Sequence, residues 1–131
     1  MAGDLEEIYR RYIAVLNDRR FEDLDDFVHP RLTYNGESWT REEYRSLLVD
    51  SARSIPDLHY DIALLVVGPD HIACRLWFAC RPQGDFLGVP VDGRHVSFAE
   101  HVFYRLRAGM IEDVWSLIDT DAIRRQLGVG A

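Results

Sequence analysis

Cysteine is scarce in this sequence: Cys74 and Cys80 are the only two, six positions apart in a segment that reads as one β-strand. At ~3.3 Å per residue they lie roughly 20 Å apart, too far to join in a disulfide or to ligate one metal together. They are expected as packed thiols. Positive charge is also short. Fifteen basic residues stand against 22 acidic ones, a net charge of -7, which disfavours nucleic acid and anionic lipid as partners. Long apolar runs are missing as well. The longest extends from Ile62 to Gly68, far below the ~20 residues of a membrane helix, and no charged start followed by an apolar segment suggests a secretory signal. A soluble, cytoplasmic protein is the expectation.

Strong catalytic motifs are absent too: there is no GxSxG, no phosphate-binding glycine loop, no HExxH and no dinucleotide fingerprint. The five histidines, at 29, 59, 71, 95 and 101, show no ligand spacing, so no metal is expected. What the chain does have is an apolar content of 47% with 28% charged residues over 131 positions, the composition of one globular domain spanning residues 1–131.

The periodicity is helical at first. Leu5, Ile8, Tyr9, Tyr12, Ile13 and Leu16 recur at spacings of three and four within Asp4 to Arg20, with Asp4 as N-cap and Glu7 completing a capping box. A short helix through Phe21, Leu24 and Phe27 follows. A third, opened by Thr40 and Glu43, carries Tyr44, Leu47 and Leu48 until Pro56 stops it. The segment containing Asn35 reads as a connection between helices.

After Pro56 the period becomes 2. Strands are expected from Leu58 to Val66, Ile72 to Arg81, His95 to Arg107 and Met110 to Asp119, with a short last helix beginning near Thr120. Helices first and an antiparallel meander second is the α+β arrangement, the sheet curling around the helices. Several strands are apolar on both faces, which points to a homodimer covering the second face. Residues 82–94, rich in glycine and proline, read as a lid or rim.

The last hairpin carries the chemistry. A two-residue Ala108-Gly109 turn puts Arg107 opposite Met110, and counting back gathers Phe98, Glu100, Val102, Tyr104, Asp113, Trp115, Leu117 and Asp119 on one face. Carboxylates among aromatics have raised pKa values and suit acid/base work near neutral pH. The competing reading places Asp113 and Glu100 at wet strand ends or in pairs with Arg75 or Arg105, and makes Asp119 a cap of the next turn. His101 falls on the opposite face beside Ser116, as a packing residue unless a bulge re-aims it. His59 and Asn35 are candidate donors to a substrate oxygen, with local turn roles as the alternative. Trp77 reads as core or pocket wall, and Arg75 as a carboxylate partner.

From Arg75 onward the sequence resembles the SnoaL-like polyketide cyclases of the nuclear-transport-factor-2-like superfamily. The matching pieces are Gly84-Asp85-Phe86-Leu87-Gly88-Val89-Pro90 with Gly93-Arg94, then Val96 and Phe98, Arg105 with Gly109 and Ile111, Trp115 with Asp119, and Gln126-Leu127-Gly128. Pro56-Asp57-Leu58 and the helical opening match as well. The resemblance implies a cone-shaped α+β barrel, a curved antiparallel sheet wrapped around N-terminal helices and enclosing a deep apolar pocket for a small apolar molecule. It also implies aldol-type cyclisation of a polyketide-like carbonyl substrate by acid/base chemistry without a cofactor. Asp119 carries over as the acid/base residue and Trp115 as pocket wall. Glu100 or His101 is then a second acid/base or oxyanion group, and Asn35, His59, Arg75, Trp77, Trp115 and Phe98 bind substrate. The sequence departs from the family at Cys80-Arg81-Pro82, where Gly-Thr-His is frequent, and at Glu100-His101, where a small residue is usual. The same superfamily also hosts isomerases, dehydratases and noncatalytic binders, so a ketosteroid-isomerase-like enzyme, a dehydratase or a binding protein stands beside the cyclase.

Overall fold

A computed structural model describes residues 2–129. The first helix, α1 (Ala2–Asn17), buries Leu5, Tyr9, Tyr12, Ile13 and Leu16, the stripe its spacing dictates. It begins before Asp4, which therefore sits in the first turn, where a carboxylate favours the helix dipole, rather than at the cap. At its other end the Asn17 side chain brackets the backbone of Tyr60, donating to its carbonyl at 3.1 Å and accepting from its amide at 2.7 Å. The short second helix is a 3-10 turn, Phe21–Asp26, with Leu24 buried.

The next segment is a correction to the sequence reading. Instead of a connection between helices, residues 28–40 form a hairpin of β1 (Val28–Tyr34) and β2 (Glu37–Thr40). Asn35 and Gly36 make its turn with φ of 50° and 85°, the left-handed pair that a two-residue hairpin of this type needs. Helix α2 (Arg41–Ser54) then starts with the expected capping box between Thr40 and Glu43.

Strands β3 (Asp61–Val67), β4 (His71–Cys80), β7 (Val96–Arg107) and β8 (Met110–Ile118) build the sheet, with a small hairpin of β5 (Asp85–Phe86) and β6 (Val89–Pro90) in the irregular segment. The six-stranded order is β2-β1-β8-β7-β4-β3, all neighbours antiparallel except β1 with β8. The sheet is the curved antiparallel one expected with N-terminal helices, and it stays open, with β2 and β3 as its edges, rather than closing into a full barrel. Helix α3 (Thr120–Leu127) ends at Gly128 in the left-handed region, at φ 69°.

The β7–β8 register differs from the simple count. Arg107 faces Met110 and Leu106 faces Ile111, but Arg105 faces Asp113, so Glu112 is one residue in excess. This bulge turns every later β8 side chain over. Val114, Ser116 and Ile118 share the inner face with Tyr104, Val102 and Glu100, whereas Trp115 and Leu117 are outside with Phe103 and His101. Arg105 clamps the bulge, donating to Asp113 at 2.6 Å and Glu112 at 2.7 Å, and Arg107 adds a second contact to Glu112.

The hairpin turn offers a stability test. A Cβ at Gly36 meets nothing within 4 Å, so Gly36→Ala carries only the left-handed backbone penalty. It should cost about 1 kcal/mol in chemical denaturation. Gly68→Ala, without a positive φ and with ordinary contact to the His71 carbonyl at 3.6 Å, should be neutral or slightly stabilising.

Candidate functional site

Between the helices and the inner face of the sheet lies a cavity of about 160 Å³. Its walls come from α1 and α2 on one side and from β4, β7 and β8 on the other, and Phe86 and Leu87 of the β5–β6 hairpin line it as well. Nearly all the lining is apolar or aromatic. Glu100 is the one carboxylate among the residues that line it.

Glu100 is held on the inner face of β7 opposite Ile118, one step from Ser116, whose hydroxyl donates to its Oε2. Removal from water pushes the Glu100 carboxyl above the usual range, and the Ser116 hydrogen bond only partly opposes this. The Ser116 hydroxyl also interacts with Tyr34, whose ring stacks on Trp39 with centroids 4.4 Å apart. Ser116 itself is fixed from the hairpin turn: its amide donates to Asn35 Oδ1 at 2.8 Å, and Asn35 Nδ2 donates back to its carbonyl at 3.3 Å.

Tyrosine supplies the remaining polarity. The Tyr12 and Tyr44 hydroxyls meet at 2.6 Å, either as donor, and Tyr9 donates to Tyr104 at 3.2 Å. Two hydroxyls sharing one contact carry one proton more than that contact uses, so each pair retains a donor. The Tyr60 hydroxyl, also on the cavity wall, has no hydrogen-bond partner among the described residues. Burial raises the phenol pKa of Tyr12, Tyr44, Tyr60 and Tyr104 well above the ordinary value, so these groups are donors at neutral pH. Both cysteines are buried and free; burial raises each, Cys80 to about 11, which leaves them protonated and unreactive.

Of the residues singled out from sequence, Glu100 and Phe98 line the cavity. Arg75, His101 and Asp119 gather elsewhere, around an open depression of about 380 Å³ that also includes Thr120 and Asp121. There Arg75 Nη1 donates to His101 Nε2 at 2.7 Å, and Asp119 caps α3 by accepting from the Ala122 amide at 3.1 Å. Trp77 and Trp115 are both exposed on the outer face, Trp77 beneath the Arg75 guanidinium. His59 is exposed beside Asp61, 3.1 Å away. Asn35 commits its amide to Ser116 rather than to the cavity. Asp113, expected on the inner face, points outward to Thr33 and Arg105.

The residues that sequence reasoning missed are Ser116, Tyr34 and the hydroxyl pairs. Asn35-Gly36 was the available signal for the hairpin that brings Tyr34 in. Two tyrosines on one buried helix stripe, Tyr9 and Tyr12, were a signal that the core contains donors needing partners. Among the described residues no group of three or more His, Cys, Asp or Glu converges as a metal site.

The SnoaL-like polyketide cyclase family matches residues 6–127. The chain belongs to that family. A SnoaL-like polyketide cyclase from Agrobacterium tumefaciens is similar at 41% identity over 95% of this chain and 98% of that one, with a TM-score of 0.93. TsrD from Streptomyces laurentii is 24% identical over 99% and 98% of the two chains, with a TM-score of 0.86. IdmH from Streptomyces antibioticus is 21% identical over 95% and 99%, with a TM-score of 0.81. The latter two likenesses show the fold alone. No curated protein matches. Within this SnoaL-like fold, the carboxylate lining the interior stands at position 100.

The burial of Glu100 makes stability depend on pH. Folding favours its neutral form, so its contribution is fully present below the ordinary glutamate pKa and is lost as pH rises through the raised folded value. Glu100→Gln preserves shape and an acceptor for Ser116. Its melting temperature should exceed that of the wild type at pH 8, and the difference should close near pH 4.

Proposed function

We propose that the protein catalyses cofactor-independent acid/base chemistry on a small apolar carbonyl compound, with Glu100 as the proton-transfer group. The observation that carries this reading is a carboxyl with a raised pKa facing an apolar cavity rimmed by tyrosine donors. The Glu100 carboxylate removes a proton from the carbon next to a carbonyl, leaving an enolate. The enolate oxygen accepts hydrogen bonds from the spare donors of the Tyr12–Tyr44 pair and Tyr60. The enolate carbon then attacks a second carbonyl in the same molecule, forming the new carbon–carbon bond, and the resulting alkoxide takes the proton back from Glu100. Charge and atoms balance without an external reactant.

The sequence has no lysine, so a side-chain amine is not available to activate the carbonyl as an iminium. Asp119, the residue implied by family resemblance, is committed as a helix cap on the outer side; this favours Glu100 for the acid/base role. Returning the proton to a different carbon of the same enolate gives isomerisation, the closest rival reading.

We also infer a homodimer through the outer face of the sheet. Paired residues there form two cross-strand rows, Leu64–Arg75–His101–Leu117 and Val66–Ala73–Phe103–Trp115. Leu117 is 75% exposed, and Leu64, Val66 and Phe103 are each more than half exposed. An apolar sheet face of this extent calls for a cover, and a second copy offers the same face across a two-fold axis.

Deuterium exchange at the benzylic carbon of phenylacetone in D2O, followed by NMR, tests the chemistry. The wild type should accelerate exchange and Glu100→Gln should lose about 10²-fold or more while remaining folded; undiminished exchange in the variant would remove Glu100 from the mechanism. For the assembly, light scattering should give a dimer mass for the wild type and a monomer mass for Leu117→Asp.

A further inference from the structure

We propose that Asn35 is a positioning residue for Glu100: from the β1–β2 turn it locks the β8 backbone at Ser116, and so keeps the Ser116 hydroxyl on the carboxyl. This deepens the reading of Glu100 as the proton-transfer group and rests on it. Asn35 is exposed and lies outside the cavity lining, so it acts through Ser116 and not by touching a ligand.

The local topology explains why a side chain is needed there. Strand β1 runs parallel to β8 as far as the Tyr34–Val114 pair, and the Asn35 amide still donates to the Val114 carbonyl at 2.9 Å. The chain then turns away into β2, which removes the backbone that would pair with Ser116 along this edge. Asn35 fills the place with its side chain. An amide carries the same donor and acceptor as a peptide group: Oδ1 accepts from the Ser116 amide at 2.8 Å, and Nδ2 donates to the Ser116 carbonyl at 3.3 Å. On its other edge Ser116 pairs with Val102 of β7. Asparagine suits both tasks at this position, because it also tolerates the left-handed φ of 50° that the turn requires.

The lever from Ser116 to Glu100 is a single contact. The Ser116 hydroxyl donates to Glu100 Oε2, and the carboxyl has no other hydrogen bond among the described residues. The titratable groups around it are Tyr12 of α1, Tyr34 of β1, Tyr44 of α2, Tyr60 ahead of β3 and Cys74 of β4. Burial raises every one of them, so they stay neutral, and no basic side chain lines the cavity. With one group opposing the burial of charge, the titration of Glu100 reports whether the Ser116 hydroxyl is in place.

NMR titration of the Glu100 carboxyl in full-length Asn35→Gly, Ser116→Ala and the double variant tests the proposal. Glycine accepts the left-handed turn, so Asn35→Gly removes the bracket and keeps the hairpin. The midpoint should rise by about half a pH unit or more in each single variant. The double variant should match Ser116→Ala, because the bracket then has no hydroxyl to position. Gly36→Ala strains the same turn but keeps the bracket, and should leave the midpoint at the wild-type value. An unmoved midpoint in Asn35→Gly overturns the proposal, as does an additive rise in the double variant or an equal rise in Gly36→Ala. Deuterium exchange on phenylacetone separates the positioning from the chemistry: in Asn35→Gly the acid limb of its pH profile should move upward with the midpoint. An Asn35-dependent midpoint without Glu100-dependent exchange leaves the positioning standing and removes the acid/base reading; Glu100-dependent exchange with a midpoint indifferent to Asn35 does the reverse.

Discussion

One extra residue in one strand decides what the interior of this protein contains. Glu112 interrupts the β7–β8 ladder, and from that point the two strands are out of the phase that the tight turn sets. With a regular ladder, Trp115 would sit beside Val102 and Leu117 beside Glu100 on the inner face. With the bulge, Ser116 takes that place and meets the Glu100 carboxyl. The bulge is not left to chance: Glu112 and Asp113 share Arg105, and Arg107 holds Glu112 from the other side. These are partly exposed pairs, worth little individually, but here they fix register, and register determines a whole face.

The inverted phase links two features that otherwise look separate. Inward, it makes a polar spot at one point of an apolar cavity, with Ser116 held by Asn35 at the hairpin turn and Tyr34 stacked on Trp39. Outward, it lays Trp115 and Leu117 beside Phe103 and completes an apolar surface across four strands. The proposed catalytic site and the proposed dimer face are thus two sides of the same register. The interior tolerates most of its hydroxyls because they partner one another: among the described residues, no fully buried side-chain nitrogen or oxygen lacks a partner, and the Tyr60 hydroxyl is left to the cavity it lines.

Much of the fold was legible in the residues. The stripe of α1, the Thr40–Glu43 capping box, the change of period after Pro56 and the Arg107–Met110 turn all rest on local chemistry, and local chemistry is what a sequence displays. The candidate site was legible only in half. Phe98, Glu100, Val102 and Tyr104 lie on one face because β7 runs without interruption, whereas the β8 partners came out reversed because a bulge is a nonlocal event with no fixed residue signature. Asp119 and Trp115 followed the same error outward. The missed β1–β2 hairpin has a different cause: its strands contain His29, Pro30 and Arg31, which mask the alternation, while Asn35-Gly36 carried the turn signal in plain form. The openness of the sheet follows from β2 and β3 having no neighbours on their outer edges, a property of the whole assembly of strands.

The central claim is that Glu100 is a desolvated carboxyl facing the cavity. NMR titration of the Glu100 side-chain carboxyl carbon, assigned by comparison with Glu100→Gln, tests it most directly. The account predicts a midpoint clearly above the ~4.3 of an ordinary glutamate, falling back toward that value in urea; a midpoint at or below the ordinary value in the folded protein would contradict it.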